Sequence, residues 1–303
     1  LSLADVPPAT WRRWIATADR FRQGGAPEHS PAKGRHVALC FFEPSTRTRI
    51  SFERAARGLG ACPYVLAADS SSLAKGESLR DTARTLVAAG LELLVLRHRD
   101  EGACRVFAEA VPVPVLNAGD GSNEHPTQAL LDWLTLWRHF GRLAGLRILL
   151  VGDVKHSRVA HSLRFGKALG QTFGVAAPEA LVDRKLVADF GAFEPSLDEA
   201  LSRYDVVYVL RPQRERFATA GILDDATYRR DFGITAARAA RLAPQARILT
   251  PGPVSANFEI DEAVVEDPSR SLVWEQVVNG TYLRMALLHG AFGGALDDGE
   301  AIR

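Results

Sequence analysis

No run of about 18 uninterrupted apolar residues occurs in this 303-residue chain, which excludes a hydrophobic membrane-spanning helix. Cysteine is scarce. Cys40, Cys62 and Cys104 fall at no metal-ligand or CxxC spacing, so neither a zinc ribbon nor a thioredoxin-like redox pair is indicated. An odd, scattered cysteine count suits a reducing compartment. A surplus of charge is missing too: 37 basic residues against 36 acidic ones leave a net charge of +1. No global field therefore draws the chain to nucleic acid or to a membrane surface, and any anion site must be built locally. The opening residues lack the basic-then-apolar order of a secretory signal. There is no internal repeat and no low-complexity tract. The Gly-x-Gly-x-x-Gly fingerprint is also absent, so Gly152-Asp153 after an apolar run does not read as a dinucleotide site.

What is present is a soluble globular composition, 47% hydrophobic and 24% charged, in a chain long enough for two domains. Apolar runs at 37–42, 91–96, 111–116, 147–151, 205–210 and 247–249 read as buried strands, with a weaker candidate at 63–66. Helical patterns alternate with them, and this alternation indicates α/β architecture with parallel sheets. Residues 1–25, 46–59, 78–89 and 274–288 are expected to be helical, 228–242 mostly helical, and 130–140 to form an amphipathic helix. Gly141 to Gly145 reads as a hinge separating 1–140 from 141–273, and 294–303 as a frayed tail.

Polar clusters follow several of the strands, where open α/β sheets bind ligands. After the first comes Pro44-Ser45-Thr46-Arg47-Thr48-Arg49, a helix start crowded with hydroxyls and guanidinium groups. Free N–H groups and the helix dipole favour an anion there, and hydroxyls with arginines strengthen the preference. The plainer alternative is an N-cap serine followed by solvated arginines. Arg97 and His98 end the strand at 91–96; a structural salt bridge is the competing reading for Arg97. The strand at 111–116 leads through a Gly-rich loop to His125-Pro126-Thr127-Gln128, where proline opens a helix and His125 and Gln128 can face one point. Residues 68–78 form a polar stretch with Lys75-Gly76-Glu77, by itself an ordinary surface loop. His156-Ser157-Arg158 opens a further helix. Arg211-Pro212-Gln213 follows the strand at 205–210, and Thr250-Pro251-Gly252-Pro253 the last short strand.

These strings, in this order, resemble the aspartate/ornithine carbamoyltransferase family over about residues 36–290. The resemblance implies two doubly wound parallel-sheet domains joined by a hinge, with the C-terminal helix (274–303) packing back on the first. It implies a carbamoyl-phosphate domain (1–140) and an amino-acid domain (141–273). Ser45, Thr46, Arg47, Thr48 and Arg97 would hold the phosphate. Thr48, Arg97 and His125 would surround the carbamoyl oxygen; His125 as oxyanion donor or as general base stays open. Gln128 and the carbonyls of Pro251 and Gly252 would orient the carbamoyl nitrogen. Lys75, Arg158, Arg211 and Gln213 would bind the second substrate. Ser71, with Ser72 as the alternative register, and Lys75 would come from a neighbouring subunit.

Within the family the aspartate-using members are favoured. The Lys-Gly-Glu loop and the Arg211/Gln213 segment are similar to theirs, and the Ser-Met-Gly and His-Cys-Leu-Pro motifs of the ornithine enzymes are absent. Charge agrees, because arginines suit a dicarboxylate and repel ornithine's ammonium group. The alternatives are an ornithine-type enzyme or a non-catalytic scaffold that binds a dihydroorotase. Thr250 departs from the family, where His is common. The resemblance further implies a cytoplasmic homotrimer with shared active sites, no metal or other cofactor, and a dihydroorotase or a regulatory chain as candidate partners.

Overall fold

The computed structural model describes residues 1–25, 27, 29–67, 76–213, 224–255 and 257–302. The chain divides into two compact units, residues 1–134 with 277–302, and residues 135–276. Each is a parallel α/β layer structure, as the alternation of strand and helix patterns indicates.

Unit 1 opens with helix α1 (Pro8–Gly24), then runs β1 (His36–Phe41), α2 (Thr46–Gly58), β2 (Cys62–Ala67), α3 (Leu79–Ala88), β3 (Leu93–His98), α4 (Ala103–Ala110), β4 (Val115–Asp120) and the start of α5 (Pro126–Phe140). Its four strands are parallel in the order β2-β1-β3-β4. β1 and β3 are central and almost wholly buried, whereas β2 lies at the edge and exposes Tyr64 and Val65. On one face Cys40, Phe42, Leu94, Leu96 and Phe107 pack together. Burial pushes the Cys40 thiol up to about 12, which leaves it a neutral apolar filler.

Unit 2 contains β5 (Arg147–Gly152), α6 (Arg158–Leu163), β6 (Thr172–Ala176), α7 (Arg184–Phe190), β7 (Gly191–Phe193), α8 (Leu197–Ala200), β8 (Val206–Leu210), α9 (Asp225–Phe232), α10 (Ala236–Ala239), β9 (Arg247–Leu249) and α11 (Glu262–Val265). Its strands are parallel in the order β7-β6-β5-β8-β9. Leu149, Val151, Val207, Val209 and Ile248 form the centre of its core. The last helix, α12 (Val273–Ala291), returns the chain to unit 1. Among the described residues no helix is long and apolar enough to cross a membrane.

Several local expectations are corrected. β4 begins at Val115 and includes Asn117–Asp120, because Pro112 and Pro114 lack the N–H groups a ladder needs. α5 is buried on every side from Pro126 to Leu136, so it is a core helix rather than an amphipathic one. The mostly helical stretch expected over 228–242 is two helices, α9 and α10, separated at Gly233–Thr235, where Ile234 bridges to Ile260 and its N–H donates to the Glu259 carbonyl. α4 is entered from Gly102, an N-cap without a side chain that sits in the left-handed region at φ 80°. The tail is not frayed. Asp297 lies 2.7 Å from Arg20 and its N–H donates to Thr17 Oγ1 at 2.9 Å, while Arg13 donates to the Leu296 carbonyl. The arginines of α1 hold a tail that composition alone would release.

Candidate active site

In unit 1 the three sequence clusters reach one edge of one sheet. β1, β3 and β4 are parallel neighbours, so their carboxyl ends lie side by side. The register pairs Phe41 with Arg97 and Leu96 with Asn117. β1 therefore delivers the α2 start, β3 delivers Arg97, and β4 leads to His125.

At the first of these, Ser45 is extended (φ −162°, ψ 108°) and its side chain makes no cap bond to α2, contrary to the plain N-cap alternative. The first turn of α2 holds no acid and carries Arg47 and Arg49, both exposed, and buried Thr48. Ser51 Oγ donates to the Thr48 carbonyl at 2.9 Å and tightens that turn. The result is a helix start with no acid in its first turn, which favours an anion. Arg97 is 9% exposed; its Nη1 donates to the Ala118 carbonyl at 3.4 Å, and its Nε lies 3.4 Å from Glu43 Oε2. The structural salt bridge weighed for Arg97 is thus present, with the Glu43 carboxylate on the same edge.

The end of β4 and the loop after it are held by side-chain hydrogen bonds. Asn117 Oδ1 accepts from Gly119 N at 2.7 Å, and Asp120 Oδ2 accepts from Gly102 N and Asn123 Nδ2. Pro126 opens α5, with His125, Thr127 and Gln128 all buried. Gln128 Nε2 donates to Asp132 Oδ1 at 3.0 Å, which fixes the amide orientation.

Unit 2 repeats the arrangement with β5, β8 and β9 adjacent. Gly152 pairs with Leu210, which brings Asp153 beside Arg211. Gly152 has φ 110°, and a Cβ there would lie 2.2 Å from the Leu210 carbonyl oxygen, so only glycine fits. Asp153 is fully buried and ties two loops together: it accepts from His156 N at 3.0 Å and Gln213 N at 3.1 Å, with His156 Nδ1 at 3.0 Å. Gln213 Nε2 donates to the His156 carbonyl at 2.8 Å. Ser157 caps α6 through Ala160 N and sets buried Arg158 in its first turn. After β9, Thr250 N donates to Gln276 Oε1 at 3.0 Å, and Gly252 N donates to Thr250 Oγ1 at 3.4 Å. Pro251 and Gly252 are half-buried.

Ser71, its alternative Ser72 and Lys75 lie outside the described residues. All other candidates fall on these two sheet edges. Sequence reasoning missed the groups that hold them: Glu43 beside Arg97, Asp132 beside Gln128, and Asp153 between the two unit 2 loops. For Asp153 the signal existed, an acid directly after a strand-ending glycine, but it was weighed only as a dinucleotide motif.

Two parallel sheets, each gathering arginines and hydroxyl or amide groups at the carboxyl ends of three adjacent strands, define a protein that handles anionic ligands in both units. The model of the aspartate/ornithine carbamoyltransferase carbamoyl-P binding domain matches residues 1–138, and that of the Asp/Orn binding domain matches residues 144–290. The chain belongs to the aspartate/ornithine carbamoyltransferase family. It is 45% identical to the aspartate carbamoyltransferase catalytic subunit of Thermobifida fusca over 265 residues, covering 87% of this chain and 84% of that one. It is 44% identical to the corresponding subunit of Salinispora arenicola over 97% of both chains. Among solved structures, it is similar to aspartate transcarbamoylase from Trypanosoma cruzi in complex with N-(phosphonacetyl)-L-aspartic acid, with a TM-score of 0.82, 32% identity and coverage of 95% and 93%. It is also similar to ornithine carbamoyltransferase from Thermus thermophilus, with a TM-score of 0.85, 26% identity and coverage of 96% and 97%.

Proposed function

We propose that the chain transfers the carbamoyl group of carbamoyl phosphate to the α-amino group of L-aspartate, giving N-carbamoyl-L-aspartate and phosphate, a step of de novo pyrimidine biosynthesis. The observation that carries this reading is the convergence of the α2 start, Arg97 and the His125–Gln128 turn on one edge of unit 1. Residues 1–140 with 274–303 form the carbamoyl-phosphate domain and 141–273 the aspartate domain.

Ser45, Thr46, Arg47 and Thr48 bind the phosphate, with Arg97. Thr48, Arg97 and His125 donate to the carbamoyl oxygen, where negative charge grows as the amine lone pair attacks the carbon. Gln128, oriented by Asp132, and the Pro251 and Gly252 carbonyls hold the carbamoyl nitrogen. The carbonyls need no particular side chain at 250, so Thr250 is compatible with this role. Arg158, Arg211 and Gln213 bind the carboxylates of aspartate, joined by Lys75 and Ser71 of a neighbouring subunit. The tetrahedral intermediate collapses as the C–O bond to phosphate breaks, and the departing phosphate takes the amine proton. The chain's residues position and stabilise; none forms a covalent bond to substrate. The family resemblance supports a cytoplasmic homotrimer with shared sites as the assembly, and a dihydroorotase or a regulatory chain is the class of partner that would extend it.

The test is product formation by the purified chain, with carbamoyl phosphate and either aspartate or ornithine. Turnover with aspartate alone supports the reading. Turnover with ornithine alone overturns the roles of Lys75 and Arg211, and silence with both overturns catalysis by the isolated chain and favours a scaffold or a partner-dependent subunit.

A further inference from the structure

α12 is apolar through most of its length, yet Arg284 stands in its middle and is 3% exposed. Its guanidinium lies across unit 1's two anion-facing helix starts. Nη1 donates to Ser51 Oγ at 2.7 Å and to the Gly280 carbonyl at 3.3 Å; Nη2 donates to Thr127 Oγ1 at 3.3 Å. The plane sits 5.1 Å from the centre of the Phe52 ring. Nε has no hydrogen-bond partner among the described residues. Burial lowers the guanidinium to about 9, and the carboxylate of Asp132 opposes that fall.

A charge so buried is costly, and an apolar side chain of similar volume commonly replaces such a group without loss of stability. The contacts indicate what is gained in return. Ser51 hands its own proton to the Thr48 carbonyl, so the grip on Ser51 passes into the first turn of α2. Thr127 lies between His125 and Gln128, and Asp132, the acid acting on Arg284, is the acceptor of the Gln128 amide. We propose that Arg284 is a positioning residue for the transferred group: it locks the α2 and α5 starts in one register and adds a fixed positive charge behind a dianionic phosphate. This deepens, and rests on, the carbamoyl-phosphate reading of unit 1. Gly280 is part of the device, since a Cβ there would lie 2.7 Å from Arg284 Nη1.

The experiment compares wild type, Arg284→Met, Arg284→Lys and Gly280→Ala for binding of inorganic phosphate by calorimetry, for KM of both substrates, and for thermal stability. Arg284→Met should weaken phosphate binding and raise the KM for carbamoyl phosphate by about tenfold or more, as misplacement of binding groups by a remote change does, with a much smaller change for aspartate. Arg284→Lys should restore part of the affinity near neutral pH and lose it as pH rises. A buried lysine sheds its proton at lower pH than arginine. Among the described residues, the groups that face it are Ser51 and Phe52 from α2, the Gly280 carbonyl from α12 itself, and Thr127 with Asp132 from α5. Gly280→Ala, which keeps the charge but displaces it, should fall between the two. Wild-type phosphate affinity in Arg284→Met overturns the proposal, as does identical behaviour of the Met and Lys variants at every pH. If Arg284→Met does not fold, wild-type phosphate affinity in Gly280→Ala, or an affinity in Arg284→Lys that tracks the wild type at every pH, overturns the proposal. A wild-type chain that binds no phosphate refutes instead the reading on which the proposal rests.

Discussion

Arg47 and Thr48 are adjacent in sequence and opposite in environment, one exposed and one buried. The exposed guanidinium contributes little to folding, since an isolated surface charge is worth a fraction of a kcal/mol. In the proposed function it would meet a phosphate at an uncapped helix start with no acid in its first turn. Arg47→Ala should therefore leave the unfolding midpoint nearly unchanged while lowering kcat/KM by about a hundredfold or more, the size of effect seen when one electrostatic donor to a reacting group is removed. Near-normal turnover would refute the phosphate role. At this scale much was legible beforehand. Ser-Thr-Arg-Thr-Arg and His-Pro-Thr-Gln are contiguous strings, so a helix start and its ligand groups can be read together. Arg284 was not legible, because a lone arginine in an apolar helix reads the same whether it is buried or reaches for solvent, and its partners Ser51 and Thr127 are distant in sequence.

Among elements, the segment after β9 shows how a loop is held by one buried acid. Glu259 is 1% exposed; its Oε1 accepts from Ser255 N at 2.6 Å, and its backbone carbonyl accepts from Ile234 N. Burial raises its carboxyl above the ordinary range, against the opposing influence of Arg211 and the Ser255 bond. A carboxyl raised on folding contributes stability that is present in full below its unfolded pKa and is lost as pH rises through the folded one. Glu259→Gln stays neutral and keeps an oxygen for Ser255 N. Thermal unfolding at pH 4 and pH 7 should thus show the variant gaining on the wild type at the higher pH; a constant offset would remove the argument. This loop also marks where sequence patterning runs out. A mostly helical segment is expected over 228–242, but the pattern does not mark the gap at Gly233–Thr235, where the bridge to Ile260 and the Glu259 carbonyl compete successfully with a helical turn. Strands fared better, because central β1, β3, β5 and β8 are buried apolar runs that no other element mimics at that length.

At the scale of the whole molecule, unit 1 leaves an apolar flank uncovered: Ile50 on α2 and Tyr64 and Val65 on the edge strand β2 are each at least 40% exposed. Edge strands with exposed apolar side chains are places where another chain can pair or pack. β2 leads directly into the segment that contains Ser71 and Lys75. If that segment serves a neighbour, Arg47 and Lys75 of one working site belong to different chains, and the two defects can be sorted by mixing. Arg47→Ala and Lys75→Ala proteins should each be nearly inactive. In every mixed cyclic trimer, one of the three sites then receives Arg47 from a Lys75→Ala chain and Lys75 from an Arg47→Ala chain. Random reassembly at equal amounts makes three trimers in four mixed, so about a quarter of wild-type activity should return. Subunit exchange is verified by native mass spectrometry on the same samples. Full exchange with no recovered turnover would place both residues in one chain's site, and the uncovered flank would then have to be explained by some other contact.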